Sequence, residues 1–233
     1  MCLIIVHADN TERVSRNVFK GYWDDNPDGF GLAYCARGKL HARLPYWSFR
    51  EAWRAYGNAM AAADGPVVVH FRLSTSGKCN KENTHPHAVK CSGGERMALF
   101  HNGVLPGGDA KHSDTVLWTK MAFVGRSKRQ LLSEKWINHA EQWLGFNKVV
   151  LLSHQGEVAI YNEHFGEWSG TGLWFSNTQA AMEHEGRVPT GFGKGCYREY
   201  IHDVEVDEDD DSDAIDCGTA HPYVPWKYRV TGP

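Results

Sequence analysis

Met1-Cys2-Leu3-Ile4-Ile5-Val6 opens the chain, and the fold is read outward from it. Leu3 to Val6 is an apolar run of strand length. Cys2 stands directly before it, behind an initiator methionine. The cysteine side chain is small enough for an aminopeptidase to remove Met1, which would leave one residue carrying both a thiol and a free α-amino group. The unperturbed amine titrates at ~7.7–8.0 and the thiol at ~8.5, so near neutral pH each has a usable reactive fraction. Such a residue is a nucleophile with its own base, the pairing that covalent acyl transfer requires. A Met-Cys start is also a common accident, and the bland reading is a small residue opening a strand.

The whole chain sets bounds on this. Its 233 residues, 42% of them hydrophobic, suit one large domain or one domain with an appendage. A formal charge of −3 gives no general attraction to nucleic acid or to an anionic membrane, so neither is expected as a partner. No basic leader with an apolar core opens the sequence, and no apolar run approaches the ~20 residues of a membrane span. The expectation is a cytoplasmic protein. Six irregularly spaced cysteines then read as reduced thiols, not as a disulfide framework.

Downstream, turn formers from Trp23 to Gly29 precede a hairpin, with strands from Phe30 to Tyr34 and from Lys39 to Leu44 around Arg37-Gly38. Ser48 is placed to cap a helix reaching about Ala63, with Phe49, Trp53, Tyr56 and Met60 on one face. Val67 to Phe71 and Arg96 to His101 are strands that deliver polar residues at their ends. Helices are expected over Ser113–Phe123 and Arg126–Leu144, followed by strands at Val149–Leu152, Glu157–Tyr161 and Leu173–Phe175. Residues 1–202 read as one domain. Residues 203–216, with Asp207 to Asp211 all acidic, read as a solvated segment, and 217–233 as a tail whose Tyr223, Trp226 and Tyr228 can dock back.

Four stretches stand out: His70-Phe71-Arg72-Leu73-Ser74-Thr75-Ser76-Gly77, Asn83-Thr84-His85-Pro86-His87, Phe100-His101-Asn102-Gly103-Val104 and Ser113-Asp114-Thr115. Each has an ordinary reading. Arg72 suits a surface ion pair, Asn102-Gly103 is a strong hairpin-turn signal, and Asp114 or Ser113 suits a helix N-cap. Cys79, His85, His87 and Cys91 offer donor types that zinc accepts, without the close paired-cysteine spacing of zinc knuckles. A non-catalytic binding module is the corresponding alternative function.

In order and rough spacing, Cys2 and these four stretches resemble the glutaminase domain of class II glutamine amidotransferases, within the N-terminal-nucleophile hydrolases. The resemblance rests on motifs from Cys2 to Thr115 and on general character to Asn177. It implies an α+β fold of four layers, two stacked antiparallel sheets flanked by helices. It also implies hydrolysis of the glutamine side-chain amide to glutamate and ammonia through a Cys2 thioester, with no metal or other cofactor. Asn102 and Gly103 would supply the oxyanion donors, Arg72 a planar fork for the substrate α-carboxylate and Asp114 a negative charge for its α-ammonium. Thr75, His85 and Gly31 would line the pocket, Gly31 at the substrate-facing end of the hairpin. Ser76 and Val116 depart from residues common in the family, which leaves substrate detail open. Ammonia would pass to a separate synthase subunit, or the enzyme would be a stand-alone amidase acting on a γ-glutamyl or other amide.

Overall fold

The computed structural model describes residues 2–8, 12–74, 80–107, 109 and 111–187. The acidic segment and the tail therefore lie outside the described residues, as do Thr75 and Cys79. Alternating side-chain direction along the strands divides their apolar residues between two faces, and the fold is built on that division.

The first sheet contains β1 (Leu3–His7), β2 (Phe30–Ala36), β3 (Lys39–Tyr46), β4 (Val67–Phe71), β9 (Glu167–Trp168) and β10 (Leu173–Phe175), in the order β3-β2-β4-β1-β10-β9. The second contains β5 (His87–Lys90), β6 (Arg96–Asn102), β7 (Lys148–Ser153) and β8 (Val158–Tyr161), in sequence order. All these pairings are antiparallel. β1 lies inside its sheet, with Leu3 opposite Phe71 on one side and Ile5 opposite Phe175 on the other.

Ile4, Val6, Ala33, Val68, Ala98, Phe100, Val150, Leu152 and Trp174 are buried between the two sheets. The other face of the first sheet packs on α1 (Arg16–Asp25), α2 (Phe49–Ala62) and α6 (Thr178–His184) through Phe19, Tyr22, Tyr56 and Ala181. The other face of the second packs on α4 (Lys128–Leu131) and α5 (Glu134–Leu144) through Leu131, Ala140 and Leu144. The result is helix, sheet, sheet, helix, as expected from the sequence.

Several boundaries differ from the sequence reading. α1 was not expected at all; it occupies Arg16–Asp25 and so includes Trp23 to Asp25, where turn formers were expected to begin. Phe19, Tyr22 and Trp23 bury one stripe at helical spacing, and Ser15 caps the first turn. The expected single helix from Arg126 to Leu144 is two: Ser127 caps α4 and Ser133 caps α5, each accepting from a backbone N–H three residues on. Ser113 caps α3 (Asp114–Trp118) as expected, after which Thr119–Phe123 widens into a π turn. The hairpin reverses through Arg37 and Gly38 at φ 51° and 69°, the left-handed pair that a two-residue loop needs.

Candidate active site

Cys2 stands at the start of β1, half-buried, against the end of neighbouring β4. Its thiol donates to the Leu73 carbonyl at 3.2 Å, and the Leu73 N–H points back at the sulfur at 3.3 Å. Burial pushes the thiol pKa above its ordinary value, an effect that the Leu73 hydrogen bond partly offsets. A thiol held this way stays protonated at neutral pH and needs a base before it can attack.

The segment beyond β4 is clamped by the loop leading into β2. Asp28 N–H donates to the Arg72 carbonyl at 3.0 Å, Arg72 N–H to the Gly29 carbonyl at 2.8 Å, and Ser74 N–H to the Asp28 carboxylate at 2.7 Å. Arg72 is 4% exposed, and its Nη2 donates to Ser74 Oγ at 3.0 Å. A guanidinium so enclosed is aimed by its surroundings, unlike a surface lysine or arginine.

Asn102 ends β6 on the facing sheet. Its Nδ2 donates to Ser176 Oγ at 2.8 Å, and the same oxygen accepts the Ile4 N–H at 2.8 Å. The amide of Asn102 is thereby tied to the strand that carries Cys2, and its second N–H meets no acceptor among the described residues. Gly103 follows at φ 143°. A carbon added to it would lie 2.1 Å from Asn147 Oδ1, so only glycine fits there. Asp114 accepts the N–H groups of Leu105 at 2.6 Å and of Thr115 at 2.8 Å, which fixes the turn after Gly103 to the start of α3.

The sequence reading placed Gly31 and His85 on a pocket wall. Gly31 lies within β2 opposite His70, and a carbon added to it would sit 1.8 Å from the His85 carbonyl oxygen, so its role here is close packing of two backbones. His85 is buried, 4.1 Å from the His70 ring, 4.6 Å from His87 and 6.4 Å from His101, and neither of its ring nitrogens meets a partner among the described residues. Burial depresses the four imidazoles, and repulsion from neighbouring rings adds to the shift at His70, His85 and His87, taking His70 to about 3 and His87 to about 4. They are neutral at physiological pH.

Among the described residues no group of three His, Cys, Asp or Glu is arranged to hold a metal ion. Of the four candidate zinc ligands, Cys91 is buried in the core under α4 and α5. Ser176, Asn147 and Asp28 were not singled out from the sequence. Each makes a decisive contact far along the chain, Ser176 with Ile4 and Asn102, Asn147 with His101 and Asp28 with Ser74, so no local pattern marks it. Among the described residues no helix is long and apolar enough to cross a membrane.

No family model matches the chain, and no curated protein matches it. Solved structures do. The glutamine phosphoribosylpyrophosphate (PRPP) amidotransferase of B. subtilis, complexed with ADP and GMP, superposes with a TM-score of 0.51 at 16% identity over 80% of this chain and 44% of its own. A structure described as the allosteric regulatory enzyme of purine biosynthesis gives a TM-score of 0.52 at 15% identity over 80% and 43%. This chain thus spans less than half the length of either. The likeness is one of fold, two antiparallel sheets stacked between layers of helix.

Proposed function

We propose that the chain is a glutamine amidotransferase-type amidohydrolase that releases ammonia from the glutamine side chain. One observation carries the reading: the Cys2 thiol sits at the end of an interior strand, and Ser176 ties Asn102, the candidate oxyanion donor, to that same strand. The fold shared with an amidotransferase and the four sequence motifs support it.

In this reading removal of Met1 frees the Cys2 α-amine. The neutral amine takes the thiol proton, directly or through one water, and the thiolate attacks the side-chain amide carbon of glutamine. The free N–H of Asn102 and the backbone N–H of Gly103 hold the tetrahedral oxyanion. The ammonium on Cys2 then returns its proton to the leaving nitrogen, ammonia departs and a γ-glutamyl thioester remains. Water, deprotonated by the same amine, attacks the thioester carbonyl; glutamate leaves and the thiol is restored. Arg72 pairs with the substrate α-carboxylate and Asp114 with its α-ammonium, while His85 belongs to the pocket wall. No cofactor takes part. A separate synthase subunit is the proposed ammonia acceptor.

The test is ammonia release from glutamine by protein whose intact mass shows Met1 absent. Cys2→Ala is expected to abolish release, whereas unchanged turnover in that variant would end this mechanism. Hydrolysis of simple amides as fast as glutamine would favour a general amidase instead.

A further inference from the structure

The backbone of Gly103 rests against the side chain of Asn147, a residue from the turn between α5 and β7. Besides the 2.1 Å approach of its Oδ1 to a carbon added at Gly103, the Asn147 α-carbon lies 3.1 Å from the same point. Asn147 is itself anchored. Its Nδ2 donates to the Leu144 carbonyl at 2.7 Å, and its backbone carbonyl accepts Asn162 Nδ2 at 2.7 Å, a group that also bonds the Gly145 carbonyl.

That anchoring fixes the amide orientation. With Nδ2 committed to a carbonyl, Oδ1 is the acceptor, so His101 Nε2, 3.0 Å away, must carry the proton. His101 Nδ1 then accepts from the Thr115 hydroxyl at 2.7 Å. Burial lowers the His101 pKa, which agrees with a neutral ring holding one proton. Asn147 therefore braces the turn in two ways, by direct contact with Gly103 and through the His101 ring one residue before Asn102.

We propose that Asn147 is a positioning residue for the oxyanion-binding N–H of Gly103, setting where that donor points without itself touching the substrate. The inference rests on the glutamine-hydrolysis reading and adds a specific residue to it. A donor displaced by a fraction of an ångström loses more toward a developing oxyanion than toward the planar ground-state amide, because the site is aimed at the former.

The experiment compares wild type with Asn147→Ala, Asn147→Ser and Asn147→Asp. Three quantities are read: glutamine kcat and KM, affinity for the product glutamate, and affinity for the γ-aldehyde analogue of glutamine, whose adduct with Cys2 places a tetrahedral oxygen in the proposed hole. In Asn147→Ala and Asn147→Ser, kcat and aldehyde affinity are expected to fall together by roughly 10- to 100-fold, short of the loss of a whole donor. KM and glutamate affinity should stay within about twofold, the signature of an interaction made only at the transition state. Asn147→Asp keeps the acceptor for His101 but loses the donor to the Leu144 carbonyl, so it should recover the aldehyde affinity in part, above the alanine and serine variants. The serine variant covers the case in which alanine does not fold. Parallel loss of glutamate and aldehyde affinity, or no loss of either, overturns the positioning role while leaving glutamine hydrolysis standing. Wild-type protein lacking Met1 that neither hydrolyses glutamine nor captures the aldehyde overturns the functional reading, and this inference with it.

Discussion

Asn102 and Ile4, on facing sheets, share one hydroxyl oxygen: Ser176 Oγ accepts the Asn102 side-chain amide and the Ile4 backbone N–H, each at 2.8 Å. Ile4 is two residues from Cys2, so this oxygen sets the nucleophile strand and the candidate oxyanion donor relative to each other. Ser176→Ala leaves the buried Ile4 N–H without its acceptor, at about 1–3 kcal/mol of stability. It also frees the Asn102 amide to rotate, so kcat should fall roughly 10-fold or more with little change in KM. Denaturant unfolding together with steady-state kinetics checks both. Loss of stability with unchanged kcat would limit Ser176 to a structural role.

Electrophiles shaped like glutamine should find Cys2 alone among Cys2, Cys35 and Cys91. Cys35 is buried and donates its thiol to the Ser153 carbonyl, Cys91 is buried in a helix-side core, and burial raises both thiols. Peptide mapping after treatment with a diazo-ketone analogue of glutamine gives the answer. Labelling of Cys35 at the rate of Cys2 would contradict it.

Asn102→Ala should lower turnover by roughly 10²–10³, about 2.7–4 kcal/mol of barrier, the usual loss on removing an oxyanion donor. A loss below threefold, on the order of 0.7 kcal/mol, would return Asn102 to the role of a turn residue.

Arg72→Lys keeps the positive charge and discards the planar fork, whose Nη2 now bonds Ser74. A rise in KM for glutamine of roughly 10-fold is expected, about 1.4 kcal/mol of binding, with a smaller effect on kcat. An unchanged KM would place the α-carboxylate elsewhere.

The buried imidazoles give stability a defined pH dependence. Their folded pKa values lie below the unfolded value near 6.5, so the unfolded chain binds more protons and stability rises with pH across that interval. Stability is full above about 6.5 and lost progressively as pH falls toward about 4 for His87 and about 3 for His70. Each histidine contributes a slope approaching about 1.4 kcal/mol per pH unit inside its window. Urea midpoints between pH 7.5 and 5 measure this, and His87→Leu should flatten the slope. A flat wild-type profile would mean that the rings are hydrated.

Local chemistry made much of this legible in the sequence. The apolar run after Cys2 and the strands ending at Phe71 and His101 follow from continuous apolar stretches, β6 reaching one residue further to Asn102, and the Ser113 cap follows from its hydroxyl. Asp114 was read as a charge for substrate or a cap at the helix start; its bond to the Thr115 N–H fits the second task, while its hold on Leu105 across the turn was not legible in residue type. Ser176 was invisible because its partner Ile4 is 172 residues away. Asn147 was hidden likewise, its value arising only where the turn after α5 meets the end of β6. α1 was not read at all: its end is rich in Asp and Asn, which suit a turn, and burial of Phe19, Tyr22 and Trp23 along one stripe outweighs that preference.

The position of β1 has a consequence for how the protein fails. An edge strand frays, but β1 is hydrogen-bonded on both sides and can open only with the sheet around it. Backbone amides from Leu3 to Val6 should therefore exchange with deuterium only through global unfolding, and the nucleophile inherits that protection. Heat that first loosens the outer helices leaves the thiol in place until the whole domain melts.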